Sequence, residues 1–237
     1  MKSKTHFHFK QFSLQHDRCS MKVGTDSVLL GCWANVQRAK NILDIGTGSG
    51  VIALMMAQRT SRDTQIDAVE ISAQDAGQAL ENILQSPWPG KISVENISIQ
   101  AFFPNRSYDI IITNPPYFNK SKEPPDSRRR ETRHTITLNY ETLILSVKRL
   151  LKKDGKFNII LPYAEGNQFT KLAQESHFFC TRKYSFRTRA EKPIERWLLE
   201  FSHQEQSIDT GEVLHYAKGM TWSDLYISLT REFYLKL

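Results

Sequence analysis

"NILDIGTGSGVIAL", residues 41–54, decides the fold. The apolar run Asn41–Ile45, with Asp44 as its one charged residue, predicts a short buried strand. Gly46, Gly48 and Gly50 follow at alternate positions, and Val51–Arg59 then has the apolar spacing of a helix. Glycines at such a junction let the chain turn sharply and let a ligand meet the main chain with no Cβ in the way. The next strand ends on Glu70 in "IDAVEIS", where a carboxylate can accept both hydroxyls of a ribose. A plain strand-to-helix turn explains the glycines alone; the acidic strand end favours a nucleotide site.

Working outward, Gln65–Ile71, Ile92–Ile97, Tyr108–Thr113 and Lys156–Leu161 read as further buried strands, rich in Ile, Val and Leu. Ser72–Gln85 and Tyr140–Lys152 read as helices, the latter ended by Asp154-Gly155. Strands alternating with helices imply an α/β fold, a parallel sheet covered on both faces. Phe178–Phe186 and Glu195–Phe201, with a turn around Glu191-Lys192-Pro193, would finish the sheet with an antiparallel edge. The linker-like stretches are Asn119–Arg133 and about Ser202–Gly219. Residues 6–12 alternate with period two, as in an edge strand or hairpin, and residues 222–237 have helical periodicity. The whole reads as one domain: a cap over 1–35, a core over 36–203 and an extension over 204–237.

The 237 residues suffice for one good core. No apolar run is long enough to span a bilayer, and residues 1–6 lead into no signal-like apolar region, so a cytoplasmic protein without a membrane partner is expected. Three cysteines, odd in number and without a C-x-x-C pair, read as free thiols. No carboxylate or cysteine lies at ligand spacing from His6 and His8, so no metal is expected. The net charge of +7 leans towards a polyanionic partner. Its placement is more telling: Lys120, Lys122, Arg128, Arg129, Arg130 and Arg133 form one cluster, and Arg182, Lys183, Arg187, Arg189, Lys192 and Arg196 another.

"MKVGTDSVLLGCWA", residues 21–34, offers Gly24 for a turn and Thr25 or Asp26 as the N-cap of an apolar helix. Free N–H groups at that start favour a carboxylate, which S-adenosylmethionine (SAM) carries and NAD does not. "TNPPYF", residues 113–118, stands where the strand from Tyr108 should end. Two prolines stop a strand, so a rigid turn is the ordinary reading. The other reading is a clamp for a planar group bearing an NH2. Asn114 Oδ1 and the Pro115 carbonyl can each accept one amine hydrogen, and Tyr117 can stack on the ring with Phe118 beside it. The lone pair thus freed could attack a methyl group, with catalysis by orientation and electrostatics.

The G-x-G-x-G of residues 46–50, with Asp44 ahead of it, resembles motif I of class I SAM-dependent methyltransferases, and NPPY resembles motif IV of amino-group methyltransferases. "FHFKQFSLQHDRCSMKVGTDSVLLGCWA", "DIIITNPPYF", "ERWLLEF" and "REFYLKL" are similar to successive blocks of the bacterial tRNA-Val adenine-37 N6-methyltransferases, over nearly the whole chain. The resemblance implies a Rossmann-like class I methyltransferase fold with a mostly parallel seven-stranded sheet, helices on both faces and an antiparallel edge strand. It implies SAM as cofactor, with Lys22, Gly24, Thr25, Asp44, Gly46, Gly48, Gly50, Glu70, Ser98, Ile99 and Asn114 around it. Many relatives have an Asp near position 98; this chain has Ser98. Asn114, Pro115 and Tyr117 would hold the target base. Phe118, the cluster from Lys120 to Arg133, Arg187 and Arg189 would meet the anticodon stem-loop of tRNA, the protein acting as a monomer. NPPY also serves protein-glutamine, rRNA guanine-N2 and DNA adenine methyltransferases, and a non-catalytic RNA-binding module stays a further alternative.

Overall fold

A computed structural model describes residues 5–117 and 139–235. Two short strands, β1 (His6–His8) and β2 (Ser13–Gln15), form an antiparallel hairpin ahead of α1 (Thr25–Trp33). The core then runs β3 (Asn41–Ile45), α2 (Val51–Arg59), β4 (Gln65–Glu70), α3 (Ala73–Leu84), β5 (Ile92–Asn96) and β6 (Tyr108–Thr113). It continues through α4 (Tyr140–Leu150), β7 (Leu151–Pro162), α5 (Tyr163–Glu175), β8 (Phe179–Arg187) and β9 (Arg196–Ser202). β10 (Asp209–Leu214), β11 (Tyr216–Lys218), β12 (Thr221–Trp222) and α6 (Asp224–Thr230) complete the described chain.

The main sheet has the order β10-β8-β9-β7-β6-β3-β4-β5. Strands β3 to β7 pair in parallel, and β9 is antiparallel to both β7 and β8. Apolar residues on both sides of each central strand explain why the sheet is buried twice. Ile42, Ile110 and Ile112 face one core with α1 and α2, while Leu43, Ile45 and Ile111 face the other with Leu143, Ile144 and Phe169 of α4 and α5. Two cations, Lys91 buried and Arg59 half-buried, tie off helix ends. Lys91 Nζ donates to the Ala57 and Thr60 carbonyls of α2 (2.7 and 3.0 Å), and Arg59 donates to the Gly31 and Ala34 carbonyls of α1 (2.6 and 2.8 Å).

Three local expectations are corrected. The sheet has an eighth strand: β10, within the expected linker, pairs in parallel with β8 and takes the outer position. Asp154-Gly155 does not stop a helix, because α4 ends at Leu150 and Gly155 lies inside β7. A Cβ there would come within 2.9 Å of the Tyr108 carbonyl and the Leu151 side chain, so the residue is a close-packing glycine at a register shift. The C-terminal helix is only Asp224–Thr230; the chain then turns, and residues 9 and 234 form a bridge. Lys10 N donates to Phe233 O at 2.8 Å, and Phe9 packs between Phe12, Phe233 and Tyr234.

Among the described residues no helix is long and apolar enough to cross a membrane. The strand order reverses at β3, where the chain runs out to β4 and β5 and returns to β6 and β7 on the other side. A crevice opens at the carboxyl ends of strands at such a point.

Candidate active site

That crevice is a cavity of about 660 Å³, bordered by the turns after β3, β4, β5 and β6, by the segment before α1 and by residues 186–196. Gly46, Gly48 and Gly50 all adopt positive φ (69°, 55° and 82°), the left-handed region that glycine enters at little cost. A Cβ on Gly46 or Gly48 would meet no atom of the described residues within 4 Å. The loop is fixed from below: Gly46 N donates to Val69 O at 2.9 Å, and Gly48 N to Glu70 Oε2 at 3.0 Å.

Glu70 lies nearly buried at the end of β4, with Oε1 accepting from Ser72 N at 2.9 Å. Each oxygen thus has one main-chain donor and a lone pair left for a ligand hydroxyl. Asp44 lies under the loop, fully buried, and does not border the cavity. Its Oδ2 accepts from Thr47 Oγ1 (2.6 Å) and Ala53 N (3.1 Å), while Oδ1 has no partner among the described residues. Burial pushes this carboxyl up to about 7, against the two donors, which favour the charged form.

Lys22, Gly24 and Thr25 border the cavity from the other side. The N-cap of α1 is Gly24, in extended conformation, and no side chain among the described residues caps the helix. The expected capping by Thr25 or Asp26 is absent because Asp26 turns away to bond Tyr117 and Arg196. Ser98 and Ile99 border the cavity with Ile97 and Gln100.

Asn114 follows directly on β6 and faces the same cavity. Its Nδ2 donates to Ser27 Oγ at 2.9 Å, and its Oδ1 lies 3.2 Å from the Tyr117 hydroxyl. That hydroxyl also donates to Asp26 Oδ2, which accepts from Arg196 Nε at 2.9 Å, and the Arg196 guanidinium lies 5.1 Å from the Tyr117 ring centre. Burial and then the Asp26 carboxylate hold the phenol above its usual range. Pro115 is buried and Pro116 borders the cavity.

Arg187 and Arg189 flank Thr188, which borders the cavity, but their own contacts lie elsewhere. Arg187 pairs with Glu212 at 2.7 Å, and Arg189 donates to Gly219 O at 2.9 Å. Phe118, Lys120, Lys122, Arg128, Arg129, Arg130 and Arg133 lie outside the described residues. The sequence reading missed Ser27 and Asp75 on the cavity wall, along with Thr188 and His215. Arg196 was read only as one of a basic cluster, although "ERWLLEF" contains it.

The wall carries the carboxylates of Asp26, Glu70, Asp75 and Glu195 against the cations Lys22 and Arg196. This balance suits a ligand with positive charge and a ribose, and disfavours the pyrophosphate of a dinucleotide. The cradle over Gly46 and Gly48 and the free lone pairs of Glu70 fit SAM.

The methyltransferase small domain family matches residues 19–178. A tRNA1(Val) (adenine(37)-N6)-methyltransferase of Bacteroides thetaiotaomicron is 43% identical over 231 residues, covering 98% of each chain. Proteins of the same name from Trichodesmium erythraeum and Salmonella enteritidis are 40% and 42% identical, over 97% of this chain and 98% and 94% of theirs. Among solved structures, a protein described as a predicted O-methyltransferase from Agrobacterium tumefaciens superposes with a TM-score of 0.70. It is 15% identical and covers 88% of this chain and 96% of its own. A glycopeptide N-methyltransferase complexed with SAM superposes with a TM-score of 0.56 at 11% identity, over 77% of this chain and 100% of its own. At such identities the structures speak for the Rossmann-like class I methyltransferase fold alone, which is the fold the sequence resemblance implied.

Proposed function

Since this chain belongs to the family of tRNA1(Val) (adenine(37)-N6)-methyltransferases, we propose that it methylates N6 of adenine 37 in tRNA1(Val) at the mouth of the cavity where Asn114 stands. The observation that carries the assignment of the site is the shared cavity: Asn114 at the end of β6 opposes Glu70 and the glycine loop across one crevice. SAM supplies the electrophilic methyl group when bound. Lys22, Gly24 and Thr25 would hold its methionine end, Glu70 its ribose, and Ser98 and Ile99 its adenine.

The N6 amine of adenine is a poor nucleophile because its lone pair is delocalised into the ring. Asn114 Oδ1 accepts one amine hydrogen and the Pro115 carbonyl the other, drawing the nitrogen towards a tetrahedral shape. The prolines keep that carbonyl still, and a residue before proline is itself restricted to extended backbone, which fixes Asn114. Tyr117 stacks on the base. These are orientation and charge effects, realised most strongly in the transition state. An anticodon-loop adenine is unpaired, so turning it out costs less than from a duplex. Phe118, the cations from Lys120 to Arg133, Arg187 and Arg189 would grip the neighbouring nucleotides. The protein would act as a monomer in the cytoplasm.

The test is methyl transfer from labelled SAM to tRNA, rRNA, DNA and release factor in parallel, with Asn114→Ala beside the wild type. The expected result is transfer to tRNA, with the Asn114→Ala rate lower by about two to four orders of magnitude and SAM affinity within a few fold. Transfer to one of the other substrates instead of tRNA would overturn the substrate; an unaltered Asn114→Ala rate would overturn the site.

A further inference from the structure

The first turn of α1 touches the base clamp through two consecutive side chains. Ser27 Oγ accepts from Asn114 Nδ2, and Asp26 Oδ2 accepts from the Tyr117 hydroxyl. The same hydroxyl lies 3.2 Å from Asn114 Oδ1. A phenol has one proton, so it cannot serve both acceptors fully. The carboxylate is the charged one of the two, and hydrogen bonds to ionised acceptors are about twice as strong as neutral ones. Arg196 Nε, 2.9 Å from the same Oδ2, pairs with Asp26 and holds it in place, with both side chains largely withdrawn from solvent. The Tyr117 hydroxyl therefore directs its hydrogen to Asp26.

We propose that Asp26 is a positioning residue for methyl transfer: by accepting the hydrogen bond of the Tyr117 hydroxyl it leaves Asn114 Oδ1 free to accept from the amine of the substrate adenine. This rests on the role given to Asn114 above. The amide oxygen has two lone pairs, and a full hydrogen bond from Tyr117 would occupy one and drain density from the other. That loss would be felt most as the amine nitrogen gains positive charge, when its hydrogens call for the strongest acceptor. Asp26 removes the competing donor while Arg196 steadies the ring, and Ser27 anchors the nitrogen end of the amide. The arrangement explains why an acidic residue in the first turn of α1 makes no cap. Its acceptor atom is spent on β9 and on the turn after β6.

The test is single-turnover methyl transfer to tRNA by Asp26→Ala, Asp26→Asn, the double variant Asp26→Ala/Tyr117→Phe, and Asn114→Ala, with SAM and tRNA affinities measured separately. Asp26→Ala is expected to slow the chemical step about ten- to a hundred-fold, as for a lost hydrogen bond to a charged group. Affinities should stay within a few fold. Asp26→Asn, which keeps an oxygen for the phenol, is expected to be slowed less. The double variant should be faster than Asp26→Ala, because Tyr117→Phe deletes the donor that Asp26 no longer restrains. A double variant as slow as Asp26→Ala, or slower, would overturn the proposal and leave Asp26 a mere prop for the ring. Should Asp26→Ala fail to fold beside unpaired Arg196, Asp26→Ser with and without Tyr117→Phe gives the same comparison. If Asn114→Ala keeps its rate, the role of Asn114 itself fails; if Asn114→Ala is slow while the Asp26 variants are not, the role of Asp26 alone fails.

Discussion

Replacing Asp44 by Asn probes the floor of the glycine loop. Asp44 is sealed from solvent, two donors meet its Oδ2, and burial pushes its carboxyl up to about 7. In the unfolded chain an aspartate titrates near about 3.9. Between those values the folded state binds more protons than the unfolded state, so the contribution of Asp44 is fully present below the unfolded value. It is lost as pH rises through the folded one. Roughly three pH units at about 1.4 kcal/mol each amount to about 4 kcal/mol, most of which falls between pH ~5 and ~8.5. Asn at this position keeps an oxygen for Thr47 and Ala53 but does not titrate. Urea unfolding of both proteins at those two pH values, without cofactor, measures the difference. The Asn variant is expected to gain roughly 3 kcal/mol relative to the wild type at the higher pH. A difference independent of pH would refute the reasoning and show that Asp44 ionises below pH 5 in the fold.

Glu70→Ala should weaken SAM binding roughly ten- to a hundred-fold by calorimetry, as for lost charge-assisted bonds, and unchanged affinity would remove the ribose assignment. Gly50→Ala has room for its Cβ, 3.5 Å from Ala79, but must hold φ near 82°. The expected cost is about 1–2 kcal/mol in urea unfolding, and a neutral result would mean that the loop relaxes. Replacing Arg128, Arg129 and Arg130 together by Ala should weaken tRNA binding with SAM affinity unchanged. The log-salt slope should flatten by roughly 0.7–0.9 for each phosphate no longer neutralised, and an unaltered slope would mean that these arginines only face solvent.

The central strands were legible because each is apolar on both faces, as the opposite burial of Ile42 and Leu43 illustrates. Such a pattern belongs to a doubly covered parallel sheet. Strand β10 was not legible: "DTGEVL" is mostly polar, buries only Val213, and becomes a strand through pairing with β8. Gly155 read as a helix stop because local signals cannot show the Tyr108 carbonyl that lies against it. The glycine loop, Glu70 and Asn114 could be placed at one rim from sequence, since strand ends in a parallel sheet share an edge. The depth of Asp44 and the attachment of Asp26 to Arg196 could not, because both depend on tertiary neighbours.

The seam between residues 9 and 234 bears on how the protein comes to be made. Phe9, Phe12 and Leu14 share one core with Tyr226 and Phe233, so that core stays unfinished until the C-terminal residues have left the ribosome. The sheet can assemble in order as the chain grows, while the apolar face awaiting Tyr226 and Phe233 remains uncovered. Contacts so distant along the chain are slow to close, and an uncovered apolar face is the kind of surface that chaperones recognise and aggregates grow from. A circular permutant joined across the seam and opened in another surface loop would bring these partners out of the ribosome together and shorten that interval.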